Sequence, residues 1–520
     1  MYPSMASPLL IALPQGLCVS GVNLWAVRLA EALVDRGRPA ALLLHREPPG
    51  HRALNVDLPL AVERIDLTDM PPLDQAGGDL APWVDRYRDV VRRLADDAGA
   101  PVILSPNLLG DCYGIAAALC RSIPESLRVV GWHHSSVDYN DHVLGHYEPI
   151  IARFVAVSDE IADRLGSAVP HRAADIVNIP YGVPIPRRTP QRAALANRPV
   201  RLLYIGRIDH EQKRVLAFAE LARELTRRGV DHELVLIGDG PASSRLDEEI
   251  VRLPTVHRLA PVPPATINRW LDRSDALLLA SRYEGLSVSM LEAMARGCVP
   301  IVTRVESGVA QAIDEGVNGE LADACLDGHE TDVGRALADA VGRFLARPPG
   351  VMARAAWQTA RERFSTERHA DAVDAMLDEV GGEAPRRWPA NRPAAFTARD
   401  DAGGTGSVPP DGARRLASVL ERLGGRRIVV HGTGEHTRQL ADVLASAPVT
   451  VVAFSDDDRL RHGSLLWDKP IVAPRKASET GATDVVISSW INQQAIWSRR
   501  AVYEQQGMTV HTLYEHDNGG

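Results

Sequence analysis

Short apolar runs recur from residue 8 to about 380, with helical patterns between them. Each has the length of one buried strand: 9–14, 40–45, 102–105, 129–132 and 154–157, then 201–205, 233–237, 276–280 and 300–303. Strands that are apolar along their whole length, alternating with helices, require a parallel sheet covered on both faces. The alternation pauses at Tyr181-Gly-Val-Pro-Ile-Pro186 and the polar, basic run that follows to Pro199, which reads as a hinge. Two doubly wound halves joined by a hinge enclose a cleft, and ligands bind such sheets at the carboxyl ends of their strands. The expected fold class is α/β: two Rossmann-like domains facing a cleft, with a third small Rossmann-like α/β domain at the C-terminus.

The expected boundaries are 1–185 and 198–364 for the two halves, with a helix over 365–382 crossing back to the first. Residues 383–412 are rich in Pro, Ala, Gly, Arg and Asp without periodicity and read as a flexible linker. Residues 413–520 form the third unit, whose first strand enters Gly432-Thr-Gly-Glu-His-Thr437 and whose second ends at Asp456, where an acid would read a ribose hydroxyl. Thr437 stands where the dinucleotide fingerprint wants glycine or alanine. Nucleotide or sugar-phosphate binding, and a structural or homo-oligomerising role, both stay open for this unit.

The chain has 520 residues and a net charge of −9, with pI near 6.0, which argues against nucleic acid as a partner. Its five cysteines show neither a metal spacing nor a disulfide framework, so a reducing cytoplasmic location is expected. No signal peptide and no transmembrane run are expected either. The apolar stripe of the helix at 83–98 faces its own domain, because the opposite face mixes arginines with aspartates.

The chemistry concentrates at Glu284-Gly-Leu-Ser-Val-Ser-Met-Leu-Glu292, between the strand at 276–280 and a helix stopped by Gly297. One carboxylate lies on the loop and the other inside the helix. Between them Gly285, Leu286 and Ser287 open the helix with unpaired N–H groups, where the dipole favours phosphate. Amides that hold a diphosphate, flanked by carboxylates that accept sugar hydroxyls, suit a nucleotide-sugar. Gly206 and Arg207 end the first strand of the second half, and a turn brings Lys213 back beside them. Two cations there would neutralise a diphosphate leaving group. Gly238 opens a Gly-Asp-Gly-Pro turn, read as either a simple turn or a ligand contact. In the first half the loop Gln15-Gly-Leu-Cys-Val-Ser-Gly-Val-Asn23 fits neither the dinucleotide nor the Walker pattern. Gly21, at the helix start, is its better ligand candidate, and Cys18 reads as inert. His142 and His146 are one turn apart but have no completing carboxylate or cysteine, so no metal site is expected.

Together, Arg207, Lys213 and the Glu-x7-Glu loop resemble the retaining glycosyltransferases of the GT-B fold, family 4 (group 1), over about residues 8–380. The resemblance implies that Arg207 and Lys213 clamp the donor diphosphate, that Glu284 contacts the donor sugar and that Glu292 holds the ribose. It makes Gly21 part of a loop facing the donor phosphates. It also places a histidine of Gly131-Trp-His-His-Ser135 near the transferred sugar, with His134 the better match and His133 the alternative. The implied activity is metal-independent, hexosyl-type transfer from a nucleoside diphosphate sugar to a small-molecule or glycan acceptor, with no cofactor. A non-catalytic nucleotide-sugar-binding scaffold and an NAD-linked sugar-modifying enzyme acting through the third unit are the alternatives.

Overall fold

A computed structural model describes residues 6–18, 20–47, 54, 58–73, 79–107, 110–188, 198–305, 307–324, 328–392, 394, 412–433, 436–437, 440–456, 462–463, 465–489 and 493–514. The chain divides into two compact units: Met1–Ser136 with Val143–Phe396, and Val137–His142 with Thr397–Gly520.

The first unit holds two sheets. The N-terminal half runs β1 (Leu9–Leu13), α1 (Gly21–Val34), β2 (Ala40–His45), β3 (Glu63–Leu67), α2 (Ala81–Ala98), β4 (Val102–Ser105), α3 (Gly110–Ser122), β5 (Leu127–His133), α4 (Asp138–His146), β6 (Ile151–Ala156), α5 (Asp159–Ala168) and β7 (Ile176–Asn178). Its seven strands lie in the order β3-β2-β1-β4-β5-β6-β7, all parallel. Every residue of β1, β2, β4 and β5 is buried, the mark of a sheet covered on both faces. Local signals set the helix ends. Ser20 and Ser158 cap α1 and α5 by accepting from Asn23 and Ile161 N–H, each cap worth about 1 kcal/mol. Pro82 starts α2, and Gly99, at φ +59°, stops it in a conformation that favours glycine.

The second half runs β8 (Val200–Ile205), α6 (Ala217–Arg227), β9 (His232–Ile237), α7 (Ser243–Ile250), β10 (Val256–Leu259), α8 (Pro264–Arg273), β11 (Ala276–Leu279), α9 (Val288–Ala295), β12 (Val299–Thr303), α10 (Gly308–Gln311), β13 (Glu320–Ala322), α11 (Glu330–Leu345) and α12 (Pro349–Arg363). Its strands are parallel in the order β10-β9-β8-β11-β12-β13. Strand order reverses between β1 and β4 in one sheet and between β8 and β11 in the other. Crevices open beyond the strand ends at such points.

Helix α13 (Thr366–Gly382), capped by Ser365, packs on α1. Trp25 Nε1–H donates to His369 Nε2 (2.8 Å), and Arg38 pairs with Asp374 and Asp378. The two chain crossings between the halves lie side by side. Val183 N–H donates to Phe364 O (2.8 Å), and Thr366 N–H to Val183 O (3.1 Å). The polar part of the expected hinge, residues 189–197, lies outside the described residues.

The linker expected at 383–412 is corrected at its start. Trp388 is buried, Arg121 donates to Pro389 O and Arg392 O, and Tyr147 O–H donates to Ala394 O (2.7 Å). One tryptophan gives this otherwise polar stretch an anchor on the N-terminal half. Residues 395–411 lie outside the described residues.

The third unit has the order β16-β17-β15-β14-β18-β19, built from β14 (Arg427–His431), β15 (Thr450–Ser455), β16 (Leu465–Leu466), β17 (Lys469–Val472), β18 (Asp484–Ile487) and β19 (Thr509–Thr512). Only the β16–β17 pair is antiparallel. At its strand reversal, Asp456 Oδ2 accepts from Thr433 N–H (3.0 Å) and hydroxyl, so the acid expected to meet a ribose is engaged by the loop itself. Gly434 and Glu435 of the glycine motif lie outside the described residues. Among the described residues no helix is long and apolar enough to cross a membrane.

Candidate active site

β8 runs out into Gly206 and Arg207, and β11 into Ala280 and Ser281, so both loops leave from the carboxyl side of the reversal point. The 209–214 turn is fastened to the end of β11 by Arg214. Its side chain is 1% exposed, and its guanidinium donates to Ala280 O (2.5 Å) and Ser281 O (3.1 Å). Arg214 has φ +48°, a left-handed conformation rare for a non-glycine residue. That anchorage delivers its neighbour Lys213 to Glu284: Lys213 Nζ lies 2.5 Å from Glu284 Oε1, and Ser281 O–H donates to the same oxygen (2.6 Å). The pair is largely buried, where the attraction of opposite charges is stronger than in water.

Arg207 is the more exposed cation. It donates to Gln212 Oε1 (3.1 Å) and stands 3.6 Å from Asp209. Gln212 ties this turn to the Glu284 loop through Tyr283 O (3.2 Å). Gly206 and Gly238 serve close packing between strand ends. A Cβ on Gly238 would lie 1.9 Å from Gly206 O, and one on Gly206 2.7 Å from the Tyr204 hydroxyl.

Ser287 caps α9, its Oγ accepting from Met290 N–H (3.4 Å). This helix start faces the other half directly. A Cβ on Gly21 would lie 3.6 Å from Val288 Cγ2, and one on Gly285 2.1 Å from His134 O. Leu286 is buried beside them. The Ser136 hydroxyl donates to Glu160 (2.6 Å), with its oxygen 3.2 Å from Glu284 O. Glu292, further along α9, pairs with Arg28 of α1 at 2.5 Å. The glycine loop is shaped by Asn23, whose side-chain amide donates to Gly16 O (3.0 Å) and Cys18 O (2.8 Å). Burial pushes the Cys18 thiol pKa up, so it stays a thiol. Four cysteines are free and buried, and Cys325 lies outside the described residues.

His134 reaches the start of α9 through its main chain, while its side chain turns into an aromatic cluster. Its ring is 5% exposed and stacks between Trp132 and Tyr181. Nε2–H donates to Asn107 Oδ1 (2.7 Å), so Nδ1 accepts from the Tyr181 hydroxyl (2.6 Å). Both ring nitrogens are engaged in these bonds, which tie the imidazole to the Tyr181 end of the hinge. The cause is strand alternation: His134 points to the same side as Trp132, into the cluster that also holds Trp25 and His369. His133, the alternative, is fully buried at the end of β5.

This cluster sets an acid limit. Burial, with His133 and His369 adding, lowers the His134 pKa to about 3, and burial lowers that of His369 to about 4. Both lie below the 6.5 of an unfolded chain, so the stability they confer is complete above pH 6.5. It is lost as pH falls from there, by about 1.4 kcal/mol per unit for each histidine. The melting temperature is therefore expected to drop clearly between pH 6.5 and 5, above the range in which carboxylates protonate. A flat profile over that window would refute the account.

Among the described residues no group of three or more His, Cys, Asp or Glu is placed to hold a metal ion. Sequence reading missed Arg214 and Asn23, which hold the two loops, and Arg28, which acts across the cleft. Only adjacency to Lys213 and Gly21 marked the first two.

Comparison with known proteins agrees with this fold. Residues 199–347 match the family model described as glycosyl transferases group 1. The second half is a glycosyl transferases group 1 domain. The group 1 domain and the half before it together have the GT-B fold. A crystal structure of Anabaena Alr3699/HepE in complex with UDP and glucose superposes with a TM-score of 0.55 at 17% identity, over 72% of this chain and 99% of that one. Alpha-D-kanosaminyltransferase of Streptomyces kanamyceticus is 31% identical over 196 residues, 37% of this chain and 48% of the relative. Glycogen synthase of Mycobacterium tuberculosis is 27% identical over 272 residues, 50% of this chain and 61% of the relative. The chain thus spans roughly half the length of these curated relatives.

Proposed function

We propose that the chain is a glycosyltransferase that moves a hexosyl group from a nucleoside diphosphate sugar to a small-molecule or glycan acceptor, with retention at the anomeric carbon. The observation that carries this reading is the Lys213–Glu284 pair, held by Ser281 and Arg214 at the reversal point of the second sheet. The start of α9 lies beside it and Gly21 lies opposite. Lys213 and Arg207 neutralise the diphosphate as it leaves, and the open amides of α9 add to that field. These groups supply the charge stabilisation without a divalent metal. Glu284 accepts hydrogen bonds from the donor sugar, and Glu292 holds the ribose. The protein's share is orientation and electrostatics, with the acceptor approaching on the face from which the diphosphate departs. The buried free thiols suit a reducing cytoplasm.

Relatives support a sugar donor of this class. One is named as a kanosaminyltransferase, and the Anabaena structure holds UDP and glucose. The test is a thermal-shift series with UDP-, GDP-, ADP- and dTDP-sugars, since a ligand held only by the folded state raises the melting temperature. One base is expected to stand out at millimolar concentration. Protein that shifts with none of them, and hydrolyses none, would defeat the proposal.

A further inference from the structure

Arg28 and Glu292 meet across the cleft from positions 264 residues apart in the chain. Arg28 Nη2 lies 2.5 Å from Glu292 Oε1, and the side chains are 18% and 13% exposed. The other terminal guanidinium nitrogen, Nη1, is sealed from solvent and has no hydrogen-bond partner. Among the described residues Glu292 has no partner besides Arg28. The bond uses one carboxylate oxygen of Glu292 and one terminal nitrogen of Arg28, which leaves the second oxygen and Nη1 without a partner among the described residues. A buried N–H left without an acceptor is costly, so an oxygen that reaches it is favoured.

A vicinal diol is the chemical complement of such a pair. One hydroxyl donates to the carboxylate, and the neighbouring oxygen accepts from the guanidinium. We infer that Arg28 reads the ribose diol of the nucleotide jointly with Glu292, as the half of the clamp contributed by the opposite domain. The inference rests on the proposed role of Glu292 toward ribose and adds a residue that no part of the Glu-x7-Glu motif contains. Its consequence is coupling. The diol is held on both sides only while α1 and α9 face each other, so recognition of ribose and approach of the two halves become one event.

The experiment compares whichever of UDP, GDP and ADP binds most tightly with its 2′-deoxy and 3′-deoxy analogues, by titration calorimetry on the full chain. Wild-type protein is expected to prefer the ribo form by about tenfold or more. Glu292→Gln and Arg28→Met are each expected to bring that ratio to within about twofold, and Arg28→Lys to restore part of it. Collapse in Glu292→Gln but not in Arg28→Met would overturn the role of Arg28 while leaving the ribose assignment standing. An unchanged ratio in Glu292→Gln would remove the ribose assignment itself. Equal weakening of ribo and deoxy forms in Arg28→Met, with a lower melting temperature, would mark the pair as a structural bridge only. Wild-type protein that binds the deoxy forms equally well would overturn the inference without any variant.

Discussion

Replacing Lys213 by alanine is expected to cut sugar transfer by about a hundred- to a thousandfold, the usual consequence of removing one preorganised electrostatic contact. The sheet should survive, because Arg214, not Lys213, fastens the turn to β11. Glu284 keeps its bond from Ser281 when the ammonium is gone. The partner variant separates the two roles. Glu284→Gln preserves the side-chain shape and removes the charge proposed to accept sugar hydroxyls. Lys213→Ala should weaken binding of the nucleoside diphosphate itself. Glu284→Gln should leave that binding close to wild type and lower kcat for the full donor. Steady-state kinetics together with calorimetry of the free diphosphate reads both. Wild-type turnover in either variant removes the assignment of that residue.

Gly285→Ala is expected to cost as much through geometry alone. The added methyl would stand 2.1 Å from His134 O and 2.9 Å from its carbonyl carbon, and both are main-chain atoms that no rotamer change can move aside. The start of α9 must then back away from the end of β5 by about an ångström, and a displacement of that size costs about a hundredfold in a reaction that depends on alignment. The expected outcome is a large loss in kcat/KM with an unchanged far-UV circular dichroism spectrum. Activity within twofold of wild type would show that the two halves do not meet at this point during turnover.

Much of this could be read from the chain, and the omissions share causes. The central strands β1, β2, β4, β5, β6, β8, β9, β11 and β12 announce themselves as apolar runs because neighbours cover them on both sides. In the first unit the four strands without such a signal, β3, β7, β10 and β13, are the outer strands of their sheets, whereas in the third unit the interior β17 and β18 also went unread. An edge strand has one neighbour, and Glu63–Leu67 accordingly carries charges along a mostly exposed length. Lys213 and Glu284 were legible because a strand end, a turn and a helix start dictate where nearby residues go. Arg28 was not, since nothing local connects it to Glu292. The surroundings of the His134 ring were not legible for a related reason. Alternation fixes that it shares a side with Trp132, but not which side of β5 looks toward the cleft. The start of the linker was misread because composition averages over Trp388, the residue that anchors it.

The paired crossings at Val183 and Ser365 carry a mechanical meaning. Two chain segments joined by one isolated bridge form a narrow waist, the kind of short connection that absorbs the backbone rotation of a domain hinge. Rotation about that waist would widen or narrow the crevice while each half keeps its own sheet intact.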